Sequence, residues 1–237
     1  MLNKIYNYFR IIHNIYIKNR LFLKKKTYAL ENEDLKVLEF FKNRKKIGLY
    51  VDVGCYHPTQ INNTYLLYKK NWRGINIDTS KFSIDLFNFL RPDDFNFHCA
   101  ISNKNKKINL YYQKDFSQLS STDKLTAKYF IKGNLKKKKV DAFKLDTILA
   151  KTKYKNKQID FLDIDVEGAD LKVLQGLNFT KYSPILICIE IHHKTVKKSN
   201  VYKFLIKKKY RLVWSGKFSH IFVSKQIKSN QGFHLEA

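Results

Sequence analysis

Three carboxylates at alternate positions, Asp163, Asp165 and Glu167, close an apolar run in IDFLDIDVEGADLKVLQGL, residues 159–177, before Gly168 opens a leucine-bearing helical pattern. Period-two spacing puts all three on one face for as long as a strand continues. Acids this close repel one another unless something positive is near, so they suit proton abstraction, hydroxyl positioning or a metal ion. Asp165 and Glu167 are the first candidates for a general base or for positioning an acceptor, with His57, Glu190 and His192 behind them. A magnesium ion held by Asp163, Asp165 or Glu167 is one explanation of the cluster. The bland one is that Glu167 and Asp170 favour a helix N-terminus while Asp163 pairs with a lysine.

A second group of acids lies upstream. In YVDVGCYHPTQ a strand pattern ends on Asp52 and a Gly54-Cys55 turn, and the next ends on Asp78. Gly54 allows close backbone approach to a ligand, and Asp52 favours a cationic or donor-rich partner. A dinucleotide site would need a Gly-x-Gly-x-x-Gly turn and amides free of nearby anions. Only one glycine is present. Asp78 stands where a carboxylate accepts hydrogen bonds from ribose hydroxyls, and two acids with no phosphate cradle suit S-adenosylmethionine, whose sulfonium and ammonium are positive. Ala100 and Ile101, at the end of the third strand pattern, are placed to line the adenine. Asp-x-Gly is common, and a lone strand-end Asp also serves as a helix cap, so the inference rests on the combination.

These residues need a scaffold that delivers strand ends to one place. Apolar runs at 47–53, 74–78, 95–101, 159–165 and 185–191 read as buried strands, most of them separated by helix-length segments. The alternation predicts an α/β domain with a mostly parallel sheet and helices on both faces. Residues 108–112 and 140–145 read as extra short strands. The polar stretch between them, about 113–139, reads as an irregular, mobile insertion over the site. Leu30, Val37, Leu38 and Phe41 mark a lead-in helix, VYKFLIKKKY a late helix, and RLVWSG with HIFVS a closing antiparallel pair.

The 237 residues suffice for one sizeable core. The formal charge of +26 leaves two readings open: lysine-rich composition spread over a solvated surface, or a basic surface that meets an anionic partner. Cys55, Cys99 and Cys188 have neither CxxC spacing nor clustered histidines, which speaks against a zinc site or a disulfide framework and for reduced, buried thiols. In MLNKIYNYFRIIHNIYIKNRLFLKKK, Asn7, Arg10, His13 and Asn14 interrupt every apolar run before a secretory or membrane-spanning length. The segment reads instead as a basic amphipathic helix, packed on the domain or a partner, or resting on an anionic membrane surface.

FLDIDVEGADLKVLQGL resembles the signature of the FkbM-type methyltransferase family: a hydrophobic strand, Ile-Asp-Val-Glu-Gly, and a helix ending near Leu-x-Gly. Gly54-Cys55, Pro58, Asn63-Thr64-Tyr65, Asn71-Trp72-Arg73-Gly74, Asp78, Ala100-Ile101-Ser102, Leu119-Ser120-Ser121-Thr122 and Ile189-Glu190 are similar to one branch of it, in order. The resemblance covers roughly residues 47–193. It implies a Rossmann-like class I methyltransferase fold with a seven-stranded sheet, and S-adenosylmethionine-dependent methylation, often of a hydroxyl on a sugar or natural product. The expected roles are then Asp165, Glu167 and His57 in catalysis; Asp52, Gly54, Cys55, Asp78, Ala100 and Ile101 at the cofactor; and Ser121, Glu190 and His192 at the substrate. The expected organisation is a basic N-terminal segment at 1–29, the methyltransferase domain at 30–228 and a tail at 229–237. The expected acceptor is a small molecule or glycan in polysaccharide assembly, the expected location cytoplasmic or at the inner face of a membrane. An RNA methyltransferase using the basic surface, and a non-catalytic binding or membrane-associated protein that keeps the fold, are the alternatives.

Overall fold

The computed structural model describes residues 2–226, so the tail expected at 229–237 lies outside the described residues. Five of the apolar runs give strands β1 (Leu49–Val53), β2 (Arg73–Asp78), β3 (Phe95–His98), β7 (Phe161–Ile164) and β8 (Leu186–Glu190). Between them in the chain lie β4 (Ala100–Ile101), β5 (Lys106–Tyr112) and β6 (Lys136–Phe143), and after them β9 (Tyr210–Ser215) and β10 (Ser219–Ser224). The main sheet has the order β3-β2-β1-β7-β8-β10-β9, parallel from β3 to β8 and antiparallel through β10 and β9. The expected mostly parallel seven-stranded sheet is present, closed by the expected pair around Gly216.

Every residue of β1 and β7 is buried, as strands covered on both faces require. On one face Val51, Val53, Leu162, Ile164 and Ile187 pack under the helices Leu145–Ala150, Asp170–Gln175 and Asn200–Lys207. On the other, Tyr50, Phe161 and Leu186 pack with Val37 and Phe40 of the lead-in helix Glu33–Phe40 and with Leu67 of the helix Tyr65–Lys69. That second face turns polar toward the strand ends, where Asp52 of β1 lies beside Asp163 of β7 in register.

Three expectations need correction. The apolar run at 95–101 is not one strand. The Cys99 amide donates to the Asp78 carbonyl at 3.0 Å, and the chain then leaves the main sheet to build a second one, β4-β6-β5. Hydropathy cannot show such a departure, because both halves are equally apolar. The stretch 113–139 is not irregular: it holds the helix Lys124–Phe130, started by Asp123, whose carboxylate accepts from the Thr126 amide at 2.8 Å, and its Lys136–Lys139 run belongs to β6. Finally β7 stops at Ile164, so Asp165 and Glu167 leave the alternation that Asp163 obeys.

Candidate active site

A cavity of about 310 Å³ opens at the carboxyl ends of β1, β2, β7 and β8, the place where sheets of this kind bind ligands. At one end lies Asp78, ending β2. Its two oxygens accept backbone amides, Tyr56 at 2.9 Å and Ser80 at 2.7 Å, which fix the carboxylate and leave lone pairs for a ligand. Burial raises its pKa, and those amides pull it back. Ala100, Ile101 and Ile77 supply apolar wall beside it.

Gly54 has a different task from the one its sequence suggests. It has φ +89°, and a Cβ there would overlap the Asp165 carbonyl oxygen, so its bareness admits the β7 end rather than a ligand. The amides of Gly54 and Cys55 both donate to the Ile77 carbonyl, at 2.9 and 3.2 Å. Neither is free to cradle a phosphate.

The far end carries Asp165, Glu167, Glu190 and His192, all on the cavity wall. Glu167 sits at φ +53° with Gly168 following at φ +87°, a conformation a side chain tolerates only when its surroundings enforce it. Three bonds do so here. The Asp170 carboxylate accepts the Val166 amide at 3.2 Å and the Gly168 amide at 3.1 Å, and the Ser121 hydroxyl donates to the Glu167 carbonyl at 2.6 Å. Buried Asp170 is pushed up to about 7, by burial first and by Glu190 second.

Asp165 is open to the cavity, and among the described residues no donor hydrogen-bonds its carboxylate. Burial, then repulsion from Glu190, Glu167, Asp170 and Asp163, raises its pKa well above the ordinary carboxylate value. Because the group meets cavity water, the four neighbouring acids are the sounder cause. His192 Nε2 lies 2.8 Å from Glu190 and 3.8 Å from Glu167. Hydrogen bonding to Glu167 and to Glu190 holds the imidazole charged, its pKa raised to about 10. The Glu190 contact is the shorter of the two. One ligand atom from each of Glu167, Glu190 and His192 falls within 4.8 Å of the others, which makes this, among the described residues, a trio able to hold a divalent ion. Asp163 does not join it: its carboxylate accepts from Asn63 Nδ2 at 3.1 Å on the sheet face.

Four further expected site residues lie off this cavity. Asp52 is buried, accepting from Thr64 Oγ1 at 2.9 Å and Asn62 Nδ2 at 3.2 Å, and these two groups in turn meet the fully buried guanidinium of Arg91. Burial raises its pKa against the pull of Arg91. The Cys55 side chain packs with Ile84 and Phe87, its thiol pushed up by burial. His57 has no exposed surface. The Thr59 amide donates to its Nδ1 at 3.1 Å, which leaves Nε2–H to donate to Asn14 Oδ1 at 2.8 Å. Burial, helped by Arg91, lowers its pKa to about 3, so it is a neutral tie and not a base. Ser121 holds the Glu167 turn, while its neighbours Ser120 and Thr122 reach the cavity. Sequence reasoning missed Arg91, which sits in no motif, and took Asp170 for a helix-end charge, although its spacing from Gly168 is the mark of a turn clasp.

A model of the methyltransferase FkbM domain matches residues 52–212. No curated protein sequence matches the chain. Among solved structures, that of the 16S rRNA methylase ArmA is similar over 81% of this chain and 85% of its own, at 11% identity and a TM-score of 0.32. A likeness that loose decides nothing about substrate.

Proposed function

The chain belongs to the FkbM methyltransferase family, with the family's Rossmann-like sheet and S-adenosylmethionine as the implied donor, and from that premise we propose that it methylates a hydroxyl of a sugar or glycan. The observation that carries the proposal is the division of one cavity between a carboxylate fixed by two amides, Asp78, and a cluster around Asp165 whose members repel one another. Asp78 accepts the ribose hydroxyls, and Ala100 and Ile101 pack on the adenine. The consumed amides of Gly54 and Cys55 fit a nucleoside without a pyrophosphate. When bound, the donor presents an electrophilic methyl group on a sulfonium.

The chain's own residues then have to hold an acceptor hydroxyl in line and remove its proton. Asp165 is the base: the acids around it raise its pKa above the ordinary carboxylate value, which makes it a stronger base than a free carboxylate, and no protein donor occupies it. Glu167 and Glu190 accept hydrogen bonds from neighbouring hydroxyls. Protonated His192 balances them and is not itself a base at neutral pH. The rings of Phe130 and Phe218, centred 4.8 and 5.6 Å from that of His192, give the apolar faces that sugars stack on. An acid-lined cavity disfavours a polyanionic acceptor such as RNA. A divalent ion on Glu167, Glu190 and His192 is the metal-assisted form of the same reading, and turnover before and after chelation separates the two forms.

Calorimetric titration with S-adenosylmethionine and S-adenosylhomocysteine, with NAD as control, followed by transfer of labelled methyl to a panel of saccharides, is the test. Binding of the first two and labelling of a saccharide supports the proposal. Labelling of RNA and of no saccharide would overturn the acceptor, and failure of both cofactor ligands to bind would overturn the activity.

A further inference from the structure

The N-terminal segment is apolar on two sides. The helix Leu2–Ile12 continues into a π-helical stretch, His13–Lys18, and its inward side chains Ile11 and Ile15 pack with Phe82 and Leu86 of the helix Lys81–Leu90. That much matches an amphipathic helix laid on its own domain. The outward side should then be polar, and it is not: Ile5, Tyr6, Phe9, Ile17, Phe22 and Leu23 are all exposed, Phe22 at 71% and Phe9 at 64%. Eight of the fourteen large apolar side chains exposed among the described residues fall in this one segment, which is too much clustering for the single exposed apolars of an ordinary surface.

Its charge is equally one-sided. Residues 1–30 contain seven lysines and arginines and no acid, and Lys4, Lys18, Arg20 and Lys24–Lys26 are exposed. We propose that this segment docks the protein on an anionic lipid surface, with Ile5, Tyr6, Phe9 and Phe22 in the headgroup layer and the surrounding cations on the lipid phosphates. Among the described residues no helix is long and apolar enough to cross a membrane, so the contact lies in the plane of the surface.

Charge selects this occupant over the others. A second copy would bring the same basic segment, itself without an acid, against its own copy, and like charges would oppose the union. A nucleic acid would meet the lysines but would leave the aliphatic Ile5, Ile17 and Leu23 uncovered, since bases stack on rings. An anionic bilayer uses both halves of the pattern. The segment is also pinned to the site. Asn14 accepts from His57 Nε2 at 2.8 Å and from Asn19 Nδ2 at 3.0 Å, and His57 is next to Tyr56, whose amide holds Asp78 and whose ring stacks on Phe116 at 4.9 Å. A docked molecule therefore keeps its cofactor loop in a fixed relation to the surface.

The test is co-sedimentation of the full chain with vesicles of phosphatidylcholine alone or mixed with phosphatidylglycerol. Because a chain of +26 adheres to any anionic surface, the variant must leave charge untouched: Phe9→Ser with Phe22→Ser, compared with Leu125→Ser and Tyr129→Ser, an equally exposed apolar pair elsewhere. All four side chains are exposed, so the fold survives, and circular dichroism checks it. Wild type and the control pair should bind the mixed vesicles, with part of the binding resisting high salt, while the double phenylalanine variant loses about tenfold or more in affinity together with the salt-resistant fraction. Equal binding by all three proteins, or none by wild type, overturns the proposal. So does a Phe9/Phe22-dependent dimer in sedimentation, or Phe9/Phe22-dependent affinity for single-stranded RNA with no such dependence on vesicles.

Discussion

The two ends of the cavity handle their carboxylates in opposite ways. At the β2 end the backbone is spent on the acid: two amides grip Asp78 and fix its direction. At the β7 end the backbone is itself gripped. Asp170 and Ser121 clasp the strained Val166–Gly168 turn, and the acid side chains around it are left to one another and to His192. A carboxylate fixed by amides presents its oxygens in a set direction, as a binding group needs, whereas one surrounded by other acids has its proton affinity raised by them. On the proposed reading one cavity separates holding from reacting, and the joint between its two ends is Gly54.

Breaking the joint should do most damage. In Gly54→Ala the new Cβ meets the Asp165 carbonyl and the residue is forced to a positive φ, so the loss is expected at about 3 kcal/mol or more of stability with cofactor binding abolished. Denaturant unfolding and calorimetry measure both, and a stable, binding variant would mean that the two ends do not depend on their contact. Next comes the reacting end. Asp165→Asn should lower kcat by about 10²–10⁴-fold and leave cofactor affinity within a few-fold. Loss of binding with turnover intact at saturation would erase the division. At the holding end, Asp78→Asn should weaken S-adenosylmethionine by about 10- to 100-fold, the worth of hydrogen bonds to a charged group, with kcat at saturating cofactor little changed.

Legibility in the sequence follows the same line. The sheet could be read because its strands are short apolar runs buried on both faces, and Asp78, Ala100 and Ile101 could be placed because they end such runs. Asp52 and Asp165 look alike as strand-end acids. What separates them is which way the side chain leaves: Asp52 is still inside β1 and turns toward Asn62, Thr64 and Arg91, while Asp165 lies one residue past the end of β7 and faces the cavity. Period-two reasoning fails where the strand stops, and nothing in the pattern marks Ile164 as last. Arg91 and the tie between Asn14 and His57 bridge 27 and 43 positions of sequence, so only the folded chain reveals them.

The two histidines give the smallest effect and the cleanest sign. His57 is held neutral with its pKa lowered to about 3, and His192 is held charged with its pKa raised to about 10, against 6.5 for both in the unfolded chain. For His57 the unfolded form binds a proton that the folded form refuses between about pH 6.5 and 3, so its contribution to stability falls as pH drops through that window. For His192 the folded form keeps the proton longer, so its contribution is complete below about 6.5 and is lost as pH rises toward 10. The raised carboxylates Asp163, Asp165 and Asp170 take up protons on acidification and act against His57, so the whole-protein curve mixes the signs. The difference between wild type and a variant separates them. His57→Gln, which keeps a donor for Asn14, should narrow its stability gap to wild type as pH falls from 6.5 to 4, by roughly 1 kcal/mol per pH unit. His192→Gln should narrow its gap as pH rises from 7 to 9, and should move the acid limb of kcat/KM upward, because Asp165 then sits beside Glu167 and Glu190 with no imidazolium against them. Imidazole shifts in NMR read the two residues directly. A His192 that titrates near 6.5 would show that the reacting end is balanced by something other than its histidine.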